Sequence, residues 1–345
     1  MHKHLEIAPP RRISPWSIIL GILSLLALIL LALILYAYSL TGATGAGKTE
    51  LEVERGMTVS QIISELERKK LIQNADLAAL VFRYQRVGGK LKEGIYTLSG
   101  DQSMFELADT LSRPGRSSTV RVTFPEGRTV RDVASGFARA GFGTYATNLK
   151  LLRNASLSKY TKGKASLEGF LFPDTYEFRI KDTPQKIVET KLERMKKELT
   201  PQNIAKAKAL GLSVYEWVTL SSMVQAEAGN VAEMPQIAGV FFNRLEIGMR
   251  LQSDPTIAYG LGIGLPELDR SRGDFVRDTP FNTYTRAGLP PTPINNPGAA
   301  ALEATLKPAR LVNNKKMFYF LHGTDGKLYL NTNFDNHLRD VNRFR

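Results

Sequence analysis

The stretch Ser213-Val214-Tyr215-Glu216-Trp217-Val218-Thr219-Leu220-Ser221-Ser222-Met223-Val224-Gln225-Ala226-Glu227-Ala228-Gly229-Asn230 decides how the chain is read. Ser213 and Glu216 have the Ser-x-x-Glu spacing of a capping box just ahead of an apolar run, so a helix is expected to start at Ser213. Trp217, Leu220, Val224 and Ala228 recur at helical spacing as a buried stripe, and Gly229-Asn230 is a stop signal. Glu227 falls beside Leu220 at the edge of that stripe, in the last turn, where the helix dipole is negative. Partial desolvation and the dipole both disfavour the ionised form and raise the pKa. A carboxylic acid kept protonated near neutral pH can act as a general acid. On local sequence alone, a solvated glutamate at a helix end is the plain alternative.

Outward from this helix the pattern is α+β. Residues 183–199, 202–210 and 233–247 read as helices, the last with Ile237, Val240, Phe241 and Leu245 on one face. A loop-rich stretch follows from Gln252 to Pro297, long enough to be functional if it is ordered. Met317–Leu321 and Lys327–Leu330 flank Asp325-Gly326, a hairpin signal, and the segment from Asn336 onward reads as helix.

Nearer the N-terminus two segments echo each other. Leu51–Ile62 and Val122–Val133 each read as a short strand, a turn carrying a glycine (Gly56, Gly127), then a threonine cap (Thr58, Thr129) opening an amphipathic helix. Ser64 matches Ser135 and Arg68 matches Arg139 at the same offset, so a duplication is plausible. Helices at 74–84 and 103–111 and a strand at 94–98 complete the first unit, which resembles LysM, a small βααβ module associated with N-acetylglucosamine polymers. A structural module with no sugar site remains the alternative.

Ile18 to Tyr38 is an uncharged apolar run of about 21 residues, roughly 31 Å as a helix, enough to cross a bilayer. Trp16, Tyr36 and Tyr38 sit at its ends as interfacial aromatics. Lys3, Arg11 and Arg12 precede it and no basic residue follows until Lys48, which places the N-terminus in the cytoplasm and the rest outside. The expected organisation is a cytoplasmic segment 1–15, a transmembrane helix 16–40, a linker 41–49, the LysM-like module 50–118 and a mainly helical catalytic domain 119–345 with a C-terminal hairpin. Gly42–Thr49 fits the phosphate-loop pattern G-x-x-x-x-G-K-[ST], but it follows an apolar helix and precedes a strand-like Glu50–Val53, so nucleotide binding is not expected. The chain has no cysteine and only four histidines, two of them His2 and His4, so no thiolate or His-rich metal site and no cofactor is expected. A net charge of +13 suits anionic lipids, wall polymers or peptide carboxylates, while no nucleic-acid motif is present.

Several motifs together carry a resemblance. They are Glu168-Gly169-Phe170-Leu171-Phe172-Pro173-Asp174-Thr175-Tyr176, the Glu227 segment, Asn243-Arg244-Leu245, and Gly248 to Thr256 with Leu251-Gln252-Ser253-Asp254-Pro255 at its centre. Pro280-Phe281-Asn282-Thr283-Tyr284, Gly288-Leu289-Pro290-Pro291, Asn296-Pro297-Gly298 and Phe334–His337 complete the set. From the apolar run to the C-terminus the chain resembles the MltG (YceG-like) endolytic murein transglycosylases. The resemblance implies an inner-membrane enzyme that cuts nascent peptidoglycan strands internally, with Glu227 as catalytic residue and peptidoglycan synthases as possible partners. Many relatives carry a second glutamate where this chain has Gln225, which cannot donate a proton and so leaves Glu227 as the candidate. Such an enzyme needs no second carboxylate: the same glutamate protonates the leaving oxygen and then takes the proton of the muramyl C6 hydroxyl.

For the other motif residues two readings stay open. Asp254 either stabilises oxocarbenium-like charge or caps the turn at Pro255. Asn282 and Tyr284 either bond the substrate or pack the loop. Gln252 and Arg244 either line the groove or, for Arg244, pair with a buried carboxylate. Glu168 and Asp174 are expected to lock the loop ahead of the catalytic helix, and His337 to be structural. A silent wall-binding protein, or a hydrolase in which Asp254 or Glu168 activates water, are the rival functions.

Overall fold

The computed structural model describes residues 14–345. The basic residues Lys3, Arg11 and Arg12, on which the expected orientation rests, lie outside the described residues. Two compact units divide the chain, one ending at Ser118 and the other spanning Thr119–Arg345.

In the first unit, helix α1 (Pro15–Ser39) has no buried residue. Among the described residues it is the one helix long and apolar enough to cross a membrane, with mean hydropathy 3.3. The next segment departs from the expected free linker. The amides of Thr44 and Gly45 donate to the Gly100 carbonyl at 2.8 and 2.9 Å, and Gly100 N–H donates to Ala46 at 2.8 Å. A Cβ on Gly100 would lie 2.1 Å from the Ala46 nitrogen, so the approach needs glycine there. Backbone groups that water would satisfy in a tether are satisfied by the module instead. Strand β1 (Thr49–Val53) starts directly after Lys48, so the helix that a phosphate loop requires is missing.

Helices α2 (Val59–Arg68) and α3 (Ala75–Tyr84) follow, then strand β2 (Gly94–Leu98) and helix α4 (Met104–Leu111). β1 and β2 pair antiparallel from Thr49↔Leu98 to Val53↔Gly94. The unit closes over Leu51, Ile62, Leu66, Phe82, Leu98 and Leu107, each exposed by 1% or less, and each such side chain contributes about 1.5–3 kcal/mol.

The second unit begins with strand β3 (Thr119–Phe124), helices α5 (Val130–Arg139) and α6 (Tyr145–Leu152), and strand β4 (Asp174–Arg179), which pairs antiparallel with β3. The βααβ order of the first unit therefore recurs, further than the sequence echo reached. The connection from α6 to β4 is long and carries Glu168. Helices α7 (Pro184–Lys196), α8 (Pro201–Ala209), α9 (Val214–Glu227) and α10 (Met234–Glu246) come next.

α9 starts as expected. Ser213 N–H donates to Glu216 Oε2 at 2.9 Å and Glu216 N–H to Ser213 Oγ at 3.2 Å. It is not one-sided, however: every residue from Trp217 to Val224 is buried. Its polar side chains reach their partners inside the protein. Trp217 Nε1 donates to the Leu302 carbonyl and Thr305 Oγ1, both at 3.0 Å. Ser222 Oγ accepts from Ile294 N–H at 3.0 Å.

Helix α11 (Asp254–Leu261) lies inside the stretch expected to be loop. Pro255 in its first turn and Gly262 at φ 73 behind it are helix punctuation, but eight residues without an apolar run hide it. Helix α12 (Ala299–Leu306) packs with α10 against α9. Short strands β5 (Leu311–Val312) and β6 (Lys315–Lys316) pair, β7 (Tyr319–His322) pairs antiparallel with β8 (Leu328–Asn331), and helix α13 (Phe334–Phe344) ends the chain.

Candidate active site

The C-terminal end of α9, the start of α11, strand β7 and helix α13 surround a cleft of about 250 Å³. Glu227, Arg244, Gln252, Asp254 and Tyr284 line it, so five of the six site residues expected from sequence come together. Arg270, Tyr319, His322, Phe334 and His337 line it as well and were missed, apart from His337, which was read as structural. Larger hollows exist, and the carboxylates of the largest are engaged elsewhere. In this hollow of about 760 Å³, Glu216 serves the α9 cap and Glu246 pairs with Arg310 and Lys316.

Glu227 is the last residue of α9 and keeps some exposure to the cleft. Protein crowded round its carboxyl strips away water and pushes its pKa up to about 7. The Ser253 hydroxyl, donating to Oε1 at 2.5 Å, works against that rise. The charge of Asp254 adds to it, and those of His322 and Arg244 oppose it. The result is a carboxyl that can hold or release a proton at neutral pH.

Asp254 does not cap the turn at Pro255: it opens α11 itself, and its Oδ1 accepts from Tyr284 Oη at 2.6 Å. Arg244, only 6% exposed, pairs with no carboxylate among the described residues; Nε donates to the Phe318 carbonyl and Nη1 to the Leu251 carbonyl, both at 2.6 Å. Its guanidinium therefore fixes the cleft wall by tying α10 to β7 and to the segment before Gln252. Gln252 takes φ 50, a left-handed conformation uncommon outside glycine.

Asn282 is fully buried and does not reach the cleft. Its Nδ2 donates to the carbonyls of Phe275 and Arg277 at 3.0 and 2.8 Å, and its Oδ1 accepts from Tyr284 N–H at 2.9 Å. It holds the loop that presents Tyr284. Gln225 also points elsewhere, accepting from Gly298 N–H at 2.9 Å.

Behind the cleft, Glu168 is 1% exposed. It accepts from Val130 N–H at 3.0 and 3.1 Å, from Tyr259 Oη at 3.0 Å and from Asn296 Nδ2 at 3.3 Å. Burial raises its pKa to about 8. With both oxygens occupied it has no site for a water, which removes it as a water-activating base. Asp174 is exposed and accepts from Arg194 Nε at 2.9 Å, locking β4 to α7. Glu233 clamps the chain after Glu227, accepting from Gly229 N–H at 2.9 Å, Asn230 Nδ2 at 2.7 Å and meeting His322 Nε2 at 2.9 Å. His337 stacks on Tyr319 with centroids 5.3 Å apart, and its buried Nδ1 has no hydrogen-bond partner among the described residues. Among the described residues no group of three or more histidine or acidic side chains could hold a metal ion.

The profile of the YceG-like family matches residues 51–343. The chain belongs to the YceG-like family. An endolytic murein transglycosylase of Streptococcus pneumoniae (serotype 2, strain D39) is 27% identical over 318 residues, covering 84% of this chain and 57% of the relative. The chain thus spans little more than half the length of that relative. A protein of the same name from Bacillus subtilis is 28% identical over 305 residues, 83% of this chain and 82% of the relative. A crystal structure of a yceG-like protein from Listeria monocytogenes superposes with a TM-score of 0.57 at 28% identity, covering 85% of this chain and 98% of that one. Of the segments that carried the resemblance, Gly248–Thr256 supplies Ser253 to Glu227, Pro280–Tyr284 supplies Thr283 to Ser253, and Glu168–Tyr176 supplies the buried Glu168.

Proposed function

We propose that this YceG-like protein is a membrane-anchored endolytic lytic transglycosylase that cleaves the MurNAc–GlcNAc β-1,4 bond of nascent peptidoglycan strands. The observation that carries the reading is a single glutamate with a pKa near 7 in a polar cleft, in a chain 27–28% identical to relatives named endolytic murein transglycosylases. Glu227 donates its proton to the glycosidic oxygen as the C1–O4 bond breaks. The ionised carboxylate then takes the proton of the muramyl C6 hydroxyl, whose oxygen attacks C1 and closes a 1,6-anhydro ring. Atoms balance without water, and Glu227 ends protonated as it began.

Asp254 and Tyr284 form a second polar wall. In this reading the Asp254 carboxyl faces the positive charge that develops at C1, and Tyr284 holds it in place. Gln252 and Arg244, which line the cleft, supply contacts to sugar hydroxyl and N-acetyl groups. The first unit aids engagement of the glycan, a role that its βααβ order and LysM likeness support. α1 anchors the protein in the inner membrane with its N-terminus in the cytoplasm and both folded units outside, as the basic residues before the apolar run favour. Peptidoglycan synthases are the partners that nascent substrate implies.

Mass spectrometry of glycan strands cut by the protein in water labelled with heavy oxygen tests the reading. Ends in 1,6-anhydroMurNAc without label are expected. Reducing ends bearing solvent oxygen would instead make the protein a hydrolase with Asp254 as the water-activating base, and no product at all would leave a wall-binding protein.

A further inference from the structure

Ser253 stands at the start of α11 but does not cap it. A serine at this position ordinarily accepts a bond from an N–H of the first turn. Here no such side-chain bond forms. Oγ instead donates to Glu227 Oε1 at 2.5 Å, across 26 residues of sequence. Ser253 is 1% exposed, so water does not compete for the hydroxyl.

Its backbone is held from both sides. Ser253 N–H donates to Thr283 Oγ1 at 2.9 Å, and its carbonyl accepts from Thr256 Oγ1 at 2.6 Å. The Thr256 and Thr283 hydroxyls bond each other at 2.9 Å, and both residues are buried. Immediately upstream, Gln252 carries left-handed strain at φ 50, which functional sites tend to store. Two hydroxyls and one strained residue thus aim one serine at the carboxyl.

We propose that Ser253 is a positioning residue for Glu227, anchoring Oε1 so that Oε2 alone carries the proton between the leaving oxygen and the muramyl C6 hydroxyl. The proposal rests on the transglycosylase reading above and deepens it. A hydroxyl donates more strongly to a carboxylate than to a neutral acid. The bond therefore strengthens as Glu227 gives up its proton, which is stabilisation gained in the transition state. With the bond removed, Glu227 is a weaker acid and its carboxyl is free to rotate.

Other charges face the same carboxyl: Arg244 from α10, Asp254 from α11 and His322 from β7. Arg270, Tyr284, Tyr319, His337 and Arg345 complete the ionisable lining of the cleft. All of them are common to the Ser253 variants, so a shift between those variants reports the hydroxyl.

The test uses the whole chain with Ser253→Ala, Ser253→Thr and Ser253→Cys. The Glu227 carboxyl is titrated by carbon NMR, assigned with Glu227→Gln, and kcat and KM are followed against pH on glycan strands. Glu227 in Ser253→Ala is expected to titrate above its midpoint in the unsubstituted chain and to move the alkaline limb of the rate profile with it. A fall in kcat of about tenfold or more, with KM little changed, is expected for loss of a hydrogen bond to a charged group. Ser253→Thr should restore both. If Ser253→Ala does not fold, Ser253→Cys, a weaker donor of similar size, should give an intermediate midpoint. An unmoved Glu227 midpoint in the alanine or cysteine variant overturns the proposal, as does a loss of kcat that Ser253→Thr leaves unrepaired. The NMR titration needs no turnover. Failure of the unsubstituted chain to cleave glycan would sink the transglycosylase reading, while the midpoint would still decide whether Ser253 governs Glu227.

Discussion

The helices opened by Thr58 and Thr129 begin alike. Each follows a strand and a glycine in the left-handed region, Gly56 at φ 82 and Gly127 at φ 73. Each has a complete capping box, with Gln61 in one and Asp132 in the other answering the threonine. They then diverge. In α2 the turn is closed locally, Met57 N–H donating to the Glu54 carbonyl at 3.1 Å. In α5 the same turn is bound by distant groups: Gly127 N–H donates to the Asn296 carbonyl, and Asn296 N–H to the Arg128 carbonyl, both at 2.9 Å. Val130 N–H, a donor that a helix start leaves unpaired, goes to buried Glu168. Glu168 in turn holds Tyr259, at the far end of the helix that starts beside Ser253. One local device thus serves a small module in the first unit and the scaffold behind Glu227 in the second.

If the division of labour holds, Glu227→Gln should cut turnover by about 10²–10⁴-fold or more with the fold retained, since an amide of the same size replaces a carboxyl whose protonated form is neutral as well. Thr58→Ala should leave kcat alone. Product release from labelled strands measures both. A comparable loss from the first-unit change would break the comparison outright.

Next in size is Glu168, which has no counterpart in the first unit. Glu168→Ala strands Val130 N–H in the interior and takes a buried acceptor from the Tyr259 hydroxyl and from Asn296 Nδ2, which keeps its bond to the Arg128 carbonyl at 2.7 Å. Buried unpaired donors cost about 1–3 kcal/mol each, so a loss of roughly 3 kcal/mol or more is expected in denaturant titration of the solubilised chain. The pH dependence has a definite sign. Folding raises the Glu168 pKa from 4.5 to about 8, so the folded state binds the proton more tightly. Its contribution to stability is full below about 4.5 and is lost as pH rises through about 8. Glu227, at about 7, adds with the same sign. Glu168→Gln should flatten the alkaline part of this curve, and an unchanged curve would show that the carboxyl is not the group responsible.

The caps themselves should be equivalent. Thr58→Ala and Thr129→Ala are each expected to cost about 1 kcal/mol, read from the transition of the unit that contains them. A markedly larger cost at Thr129 would sharpen the contrast, because it would mean the cap and the Glu168 network act together. The smallest expectation is no effect at all: Lys48→Ala should change neither folding nor cleavage, and ATP binding lost with that substitution would reopen the nucleotide reading.

Much of this was legible along the chain because the signals are local. The Ser213 and Glu216 pair, the threonine caps and the uncharged run before Tyr38 each act within a turn or two, and the structure has α9, α2, α5 and α1 where those signals put them. The burial of α9 on all sides was not legible, because Ser221, Ser222 and Thr219 read as an exposed polar face until their buried partners are known. Nor was α11, whose length falls below what periodicity resolves. Asn282 looked like a substrate contact because a polar residue in a motif looks the same whether it bonds a ligand or a carbonyl.

The sequence by itself determined where the capped helices begin, that one helix could span a membrane, and that Glu227 would stand at the end of a helix. Caps, propensities and apolar runs are interactions between near neighbours, so they are written in order along the chain. Only the tertiary structure decided that Ser253 would meet Glu227 across 26 residues, that Tyr259 would meet Glu168 across 91, and that both carboxyls would be stripped of water. Desolvation and long-range hydrogen bonds depend on which distant segments arrive at one place, and a pKa near 7 is the sum of those arrivals rather than a property of any one stretch of sequence.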